Sequence, residues 1–259
     1  MKILKLLSTG NSKNGSMKKP LLLLVLSFFL LQTSLAQNNI ETTNPSIPKI
    51  ENYTKGKLDI KVTPFGLDGI KITVGQILKD GSIHFNWQNI DLNSIEDYGF
   101  YLSSIKNVVG MTFCNEKEIE ESSNTTKVVE VELSLYKKNK YVGMLYPAIQ
   151  KEILDNASLN RHSSLVLGSY LSWYYSDGDA NFKASCKVNL ESENNYNFKE
   201  VTNYDIQLKE GWNIVKHTLV EKEDWKNESN QGSLPKHITK TSITTIPNNI
   251  NWYLKYIGE

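Results

Sequence analysis

The sequence predicts an all-β protein, an antiparallel β-sandwich built from hairpins with one or two accessory helices; a β-barrel is the alternative. Three observations predict it. Apolar and polar residues alternate at period two in one stretch after another. Turn-forming pairs such as Asp80-Gly81, Lys138-Asn139 and Asp177-Gly178 separate those stretches. Only two segments carry the three-and-four spacing of a helix.

The order of elements begins with a leader. Met17-Lys18-Lys19-Pro20 is basic, Leu21 to Leu31 is an almost unbroken apolar run, and the small residues Ser34 and Ala36 precede a cut after Ala36. This is the pattern of a secretory signal peptide over 17–36, inside a leader spanning 1–36. Its apolar core is shorter than the roughly 20 residues that span a bilayer. The mature chain is then expected at 37–259, exported to the periplasm or outside the cell, with no transmembrane segment left after cleavage. Residues 37–57 are polar, contain two prolines and read as an extended lead-in. The remainder, 58–259, reads as a single β-rich domain, long enough to bury a core of its own.

Within that domain, Ile70, Ile72, Val74 and Leu78 share one parity. A two-residue turn at Asp80-Gly81 would pair Leu78 with Ile83, Gln76 with Phe85 and Val74 with Trp87. Asn93 and Glu96 resemble a capping box for a helix carrying Ile95, Tyr98, Leu102, Ile105 and Val109, stopped by Gly110. Val129, Val131, Leu133 and Leu135 face inward on the next strand. A turn at Lys138-Asn139 would set Leu135 against Val142, Leu133 against Met144 and Val131 against Tyr146. A second helix would begin at Pro147 and carry Ile149 and Ile153.

The stretch SWYYSDGDAN (172–181) is expected to be a hairpin bend at Asp177-Gly178. Folding there sets Trp173 against Phe182, Leu171 against Ala184, Ser169 against Cys186, Leu167 against Val188 and Leu165 against Leu190. A further hairpin through Lys209-Glu210-Gly211 would pair Leu208 with Trp212 and Ile206 with Ile214. The parity then slips, because Val215, His217 and Leu219 lie on the other face, and a bulge could absorb the slip. Ile250, Trp252, Leu254 and Tyr256 close the sheet. Segments 115–127 and 221–236 read as charged surface loops.

Charge and cysteine content narrow the function classes. Removing the five leader lysines from 29 basic residues leaves 24 against 28 acidic, a net of −4. A mildly acidic surface argues against nucleic acid as a partner. The two cysteines, Cys114 and Cys186, both lie in the exported part, and an even pair there reads as a disulfide. It would close a loop worth about 4 kcal/mol in chain entropy.

Catalytic patterns are missing from the sequence. His84, His162, His217 and His237 have no metal-ligand spacing, and no phosphate-cradling glycine loop occurs. Gly168-Ser169-Tyr170-Leu171-Ser172 fails as a nucleophile elbow because Ser172 stands where glycine is required. Asp177, Asp179 and Asn181 alternate like the opening of a calcium loop, but Phe182 and Val188 occupy its glycine and glutamate positions. Weak Ca²⁺ binding is the most such a turn would do, and no cofactor is expected. Tyr170, Tyr174 and Lys183 are the candidate ligand-binding residues, because aromatic faces beside hydrogen-bonding groups suit glycans and extended peptides.

The run WYYSDGDANFKASC, followed by YDIQLKEGWNIV, resembles uncharacterised exported β-rich proteins of Gram-negative cell envelopes. The resemblance covers about 165–220 and departs from lipid-anchored examples in lacking a cysteine at the signal cut. It implies an envelope location and β-architecture, and no activity. The expected function is a non-enzymatic exported module, a binding or structural component of the periplasm or envelope, with a glycan or envelope protein as partner. The alternative is a secreted hydrolase whose active site converges only in three dimensions.

Overall fold

The computed structural model describes residues 48–64, 71–87, 103–109, 114, 119–121, 125–153, 164–191, 197–226 and 231–257. All belong to one unit, 39–259. The protein is all-β, as expected. Its strands are β1 (Leu58–Pro64), β2 (Ile72–Ile77), β3 (Ile83–Phe85), β4 (Ile119–Glu121), β5 (Val128–Lys137), β6 (Lys140–Ala148), β7 (Gly168–Ser176), β8 (Ala180–Glu191), β9 (Asn197–Leu208), β10 (Gly211–Lys226), β11 (Gln231–Ile243) and β12 (Asn251–Tyr256). They join one sheet in the order β3-β2-β1-β5-β6-β7-β10-β11-β9-β8-β4, with β12 on β6. The sheet is not closed into a barrel. It is mixed, because β9 and β11 run parallel while the other pairs are antiparallel.

The first two expected turns form, and each teaches something about register. At Asp80-Gly81 the Leu78 carbonyl accepts from Gly81 N–H, and Leu78 N–H donates to Ser82 O at 2.8 Å. The loop is therefore three residues, 79–81, with Gly81 at φ 87° in the left-handed position. One extra loop residue moves the register by one: Ile77 faces Ile83 and Gln76 faces His84. Leu78 is accordingly exposed, whereas Ile77 is buried. A bulge against β1 then restores Val74 to the core. At Lys138-Asn139 both residues have positive φ, 49° and 63°, which makes the expected two-residue turn. Tyr136 faces Tyr141 as that turn requires, but a bulge after Leu135 sets it opposite Gly143. Beyond Ser134 the edge of β5 passes from β6 to β7, so Val131 faces Trp173 rather than Tyr146. β6 departs to pair with β12, where Pro147 faces Trp252.

The expected helix beginning at Pro147 is corrected by this pairing, since strand β6 runs through Pro147 to Ala148. The helix expected over 93–109 is seen only in its last part. Residues 88–102 lie outside the described residues, Ser103 bridges Val128, and α1 spans only Ile105–Val109. The closing strand β12 forms as expected, with Trp252 buried.

The largest correction concerns the two hairpins around 177 and 210. Neither Asp177 nor Gly178 has positive φ, so the tight turn does not form. β7 pairs with β10, and β8 pairs with β9. Ser176 faces Gly211, and four residues on Ala180 faces Leu208. Strands β7 to β10 therefore form one long antiparallel ribbon, bent sharply where the sequence suggested reversals. Trp173 and Phe182 fall in different clusters as a result. Leu208 does not face Trp212, nor Ile206 Ile214.

The bend separates the two larger core clusters; a small third one gathers around Ala148 and Ile153. The first cluster joins Leu171, Trp173 and Tyr175 of β7 with Trp212 and Ile214 of β10, the inward residues of β1, β2 and β5, and Trp252. Its centre is aromatic: Trp173 lies 5.9 Å from both Trp87 and Trp252, and Trp87 lies 4.7 Å from Trp212, ring centre to ring centre. The second cluster joins Tyr174, Val215, Val128 and Ile105 with Phe182, Ala184 and Cys186 of β8 and Tyr204, Ile206 and Leu208 of β9. β7 and β10 feed both clusters from opposite faces. This explains the apparent parity slip at Val215 and His217, both buried: the strand has no solvent face there. The bulges of β10 lie further along, between Leu219 and Lys222.

The disulfide Cys114–Cys186 is present, with Cα atoms 4.4 Å apart. It ties the segment before β4 to β8. No helix among the described residues is long and apolar enough to cross a membrane.

Candidate functional site

The bend at 177–179 and 209–210 positions everything that follows, and its polar residues build it. Asp177 N–H donates to Lys127 O at 3.1 Å, and Lys127 N–H donates back to Asp177 Oδ1 at 2.7 Å. Thr126 Oγ1 donates to the Asp179 carbonyl, and Ser176 Oγ donates to Gly178 O at 2.6 Å. Asp179 Oδ2 meets Lys209 Nζ at 2.6 Å, and this partner holds its carboxyl below the usual range. Asn213 closes the other strand: its Oδ1 accepts from Lys209 N–H at 2.8 Å and its Nδ2 donates to Lys209 O at 2.7 Å. The candidate metal residues Asp177 and Asp179 thus spend their carboxylates on the corner. Asn181 lies beyond it on β8 opposite Gln207. Among the described residues, no group of three His, Cys, Asp or Glu side chains gathers as a metal site.

Two surfaces flank the bent ribbon. The inner one carries a polar row across β5, β7, β10, β11 and β9. Register places Glu130 opposite Tyr174, Tyr170 opposite His217, His217 opposite Lys240 and Lys240 opposite Tyr204. Ser172 Oγ lies 2.6 Å from His217 Nε2, and the Tyr170 ring stacks on the imidazole at 4.6 Å. Ser172 and Tyr174 also hydrogen-bond Glu130. Burial sets the electrostatics. It pushes His217, at 5% exposure, well below its ordinary pKa, and the charge of Lys240 adds to this. Burial raises Glu130 against the opposing effect of Lys240, and lowers Lys240 itself. Tyr204 is pushed up to about 12 by burial and by Glu200.

The outer surface is formed by the opposite faces of β8, β9 and β11. Lys183 stands between Glu120 and Asp205 in one cross-strand row, and Asp205 is followed by Thr241. The adjacent row is Ser185, Asn203 and Thr239. Ser185 Oγ donates to Asn203 Oδ1 at 2.8 Å, and Asn203 Nδ2 lies 2.9 Å from His237 Nε2, so side chains stitch three strands together. Two adjoining hollows of about 380 and 360 Å³ run along this face and share Glu120, Lys183 and Asp205.

Lys183 is therefore separated from Tyr170 and Tyr174, which share one face of β7 beside Glu130. Tyr174 is 1% exposed and belongs to the second cluster. Tyr170 is half-buried on the inner surface, stacked on His217. Lys183 is exposed on the outer trough. In a hairpin over 165–190 Lys183 would stand beside the two tyrosines; with β7 on β10 and β8 on β9 it does not. Sequence reasoning missed Asn203, Asp205, Thr239 and Thr241. Their alternation was visible in T-N-Y-D-I-Q and T-K-T, but nothing local announces that β9 and β11 run parallel. It also missed the meeting of Ser172, His217 and Glu130, which come from three non-adjacent segments.

Compared with known proteins, the chain matches no family model, no curated protein and no solved structure.

Proposed function

We propose that this protein is an exported, non-enzymatic β-module of the periplasm or cell envelope that works by binding, and that its binding surface is the trough on the outer faces of β8, β9 and β11. The observation that supports it is the trough itself: rows of amide, hydroxyl and charged side chains in register, with adjoining hollows of about 380 and 360 Å³. A disulfide anchors β8 one residue beyond Ser185, which suits an oxidising compartment. Export rests on the signal-like leader. The test has two readings. Intact mass of the protein recovered from the periplasm or medium should give a chain starting at Gln37. Retention on immobilised envelope fractions should be lost in Asp205→Ala and kept in an Asp80→Ala control at a distant turn. Retention that ignores Asp205 would sink the trough as the binding surface.

A second reading, a hydrolase, is favoured by one observation: the 2.6 Å contact of Ser172 Oγ with His217 Nε2. The arrangement around it argues the other way. A nucleophilic serine needs its proton aimed at a free imidazole lone pair, with an acid on the far ring nitrogen. Here the carboxylate, Glu130, bonds the serine instead. A serine has one proton to give, so Glu130 competes for it with His217 Nε2. A fluorophosphonate probe should leave Ser172 unlabelled; labelling abolished by Ser172→Ala would establish the hydrolase.

A further inference from the structure

We infer that the trough takes an uncharged, polyhydroxylated chain, a neutral oligosaccharide, lying along β9; this rests on the reading of the trough as the binding surface. The first argument is backbone accounting. Through Val201–Asp205, β9 is paired with β8 on one edge and β11 on the other. Its N–H and C=O groups are consumed by the two ladders, so an extended peptide lying along β9 finds no free strand edge to join there. Recognition falls to side chains.

The second argument is the chemistry of those side chains. Asn181, Asn203 and Gln207 offer amides, and Ser185, Thr239 and Thr241 offer hydroxyls. Each of these groups both donates and accepts, which is what a sugar hydroxyl also does. Together with Lys183 and Asp205, which stand between them, these side chains fill alternate positions on three neighbouring strands, so they can meet successive hydroxyls along one chain. From Asn181 to Ser185 the strand rises about 13 Å, room for a short oligosaccharide.

The third argument is charge. Lys183 is flanked across the strands by Glu120 and Asp205. Two acids against one lysine leave the floor negative by one, which repels an anionic polymer. The aromatic residues that line it, Tyr204 and Phe182, are both buried and meet edge-on at 5.3 Å within the second cluster. Among the described residues no exposed ring lines the trough, so binding relies on hydrogen bonds.

The experiment is a ¹⁵N NMR titration of the mature, disulfide-bonded protein with three kinds of probe. Cellohexaose, chitohexaose and maltohexaose represent neutral chains, hexagalacturonate an anionic one, and a Ser/Gly hexapeptide the peptide. At least one neutral hexasaccharide should shift the amides of 183–185 and 203–205. Gln207→Ala and Asp205→Asn should each weaken it about three- to tenfold, with the remaining spectrum unchanged. If only hexagalacturonate or the peptide shifts those amides, the neutral-sugar inference is overturned while the trough stands as a binding surface. If no probe shifts them, or all shifts map elsewhere, both readings fall.

Discussion

Ser172 and His217 lie on neighbouring strands, two residues apart in register on the same face, and share a 2.6 Å hydrogen bond beneath the ring of Tyr170. The imidazole is held neutral there by burial and by Lys240. This bond ties β7 to β10 on the face opposite the tryptophan cluster, so the two strands are fastened from both sides.

A pH dependence follows from His217. Its pKa is depressed in the folded state, so the unfolded chain binds the proton first. Stability is fully present above the unfolded histidine value of about 6.5 and is lost as pH falls below it, by about 1.4 kcal/mol per pH unit until the folded group also titrates. Urea unfolding of the wild type between pH 7.5 and 5.5 should show this loss. His217→Gln should flatten it. Equal slopes in the two proteins would mean that His217 is not buried neutral. Glu130, raised by burial, acts in the opposite sense: its contribution is present at low pH and lost as pH rises through its folded value, so the difference between wild type and His217→Gln, rather than the wild-type slope alone, reports His217.

Trp173 and Phe182 should behave as independent sites. They pack in separate clusters, the one against Phe85, Trp87 and Trp252, the other edge-on against Tyr204. Trp173→Phe and Phe182→Leu should each cost about 1–3 kcal/mol. In a double-mutant cycle their coupling should stay below about 0.5 kcal/mol. A larger coupling would restore the hairpin in which they face one another.

The disulfide holds β4 in place. β4 pairs with β8 over only three residues, and its Glu120 lines the trough. Cys114→Ser with Cys186→Ser should lower stability by about 2–4 kcal/mol. Hydrogen exchange at 119–121 should accelerate more than at β9 or β10. Uniform acceleration would show that the bond stabilises the whole sheet rather than this edge.

Gly143 decides whether β12 can dock. Its φ is +154°, and a Cβ there would collide with the Lys255 carbonyl oxygen and lie 2.9 Å from Tyr256 Cα. Backbone cannot give way as a flexible side chain can. Gly143→Ala should therefore cost about 2–3 kcal/mol and expose Trp252, which fluorescence would report as a red shift. An unshifted spectrum with unchanged stability would contradict the close approach of β6 and β12.

Much of this protein was legible residue by residue. The alternation of Val129, Val131, Leu133 and Leu135 identified the inward face of β5, and all four lie in the first cluster. The Lys138-Asn139 turn was visible because an asparagine there tolerates the left-handed conformation. The pairing of Cys114 with Cys186 followed from there being two cysteines and no more. The Asp80-Gly81 turn was legible in place but not in length, since type and loop size depend on one residue that both geometries accept. The trough was not legible at all, because its rows come from strands whose order depends on which edges meet.

What the amino-acid order decided alone was local: which residues extend, which side chains alternate, and where the chain changes direction. It could not decide whether the direction change at Asp177-Gly178 is a reversal or a corner. Both solutions bury Trp173 and Phe182 and keep the same period of two. Only the tertiary structure chose the corner, because β7 and β10 carry apolar residues on both faces and each face had to be covered by a different layer. A reversal would have paired β7 with β8 and left one of those faces in water.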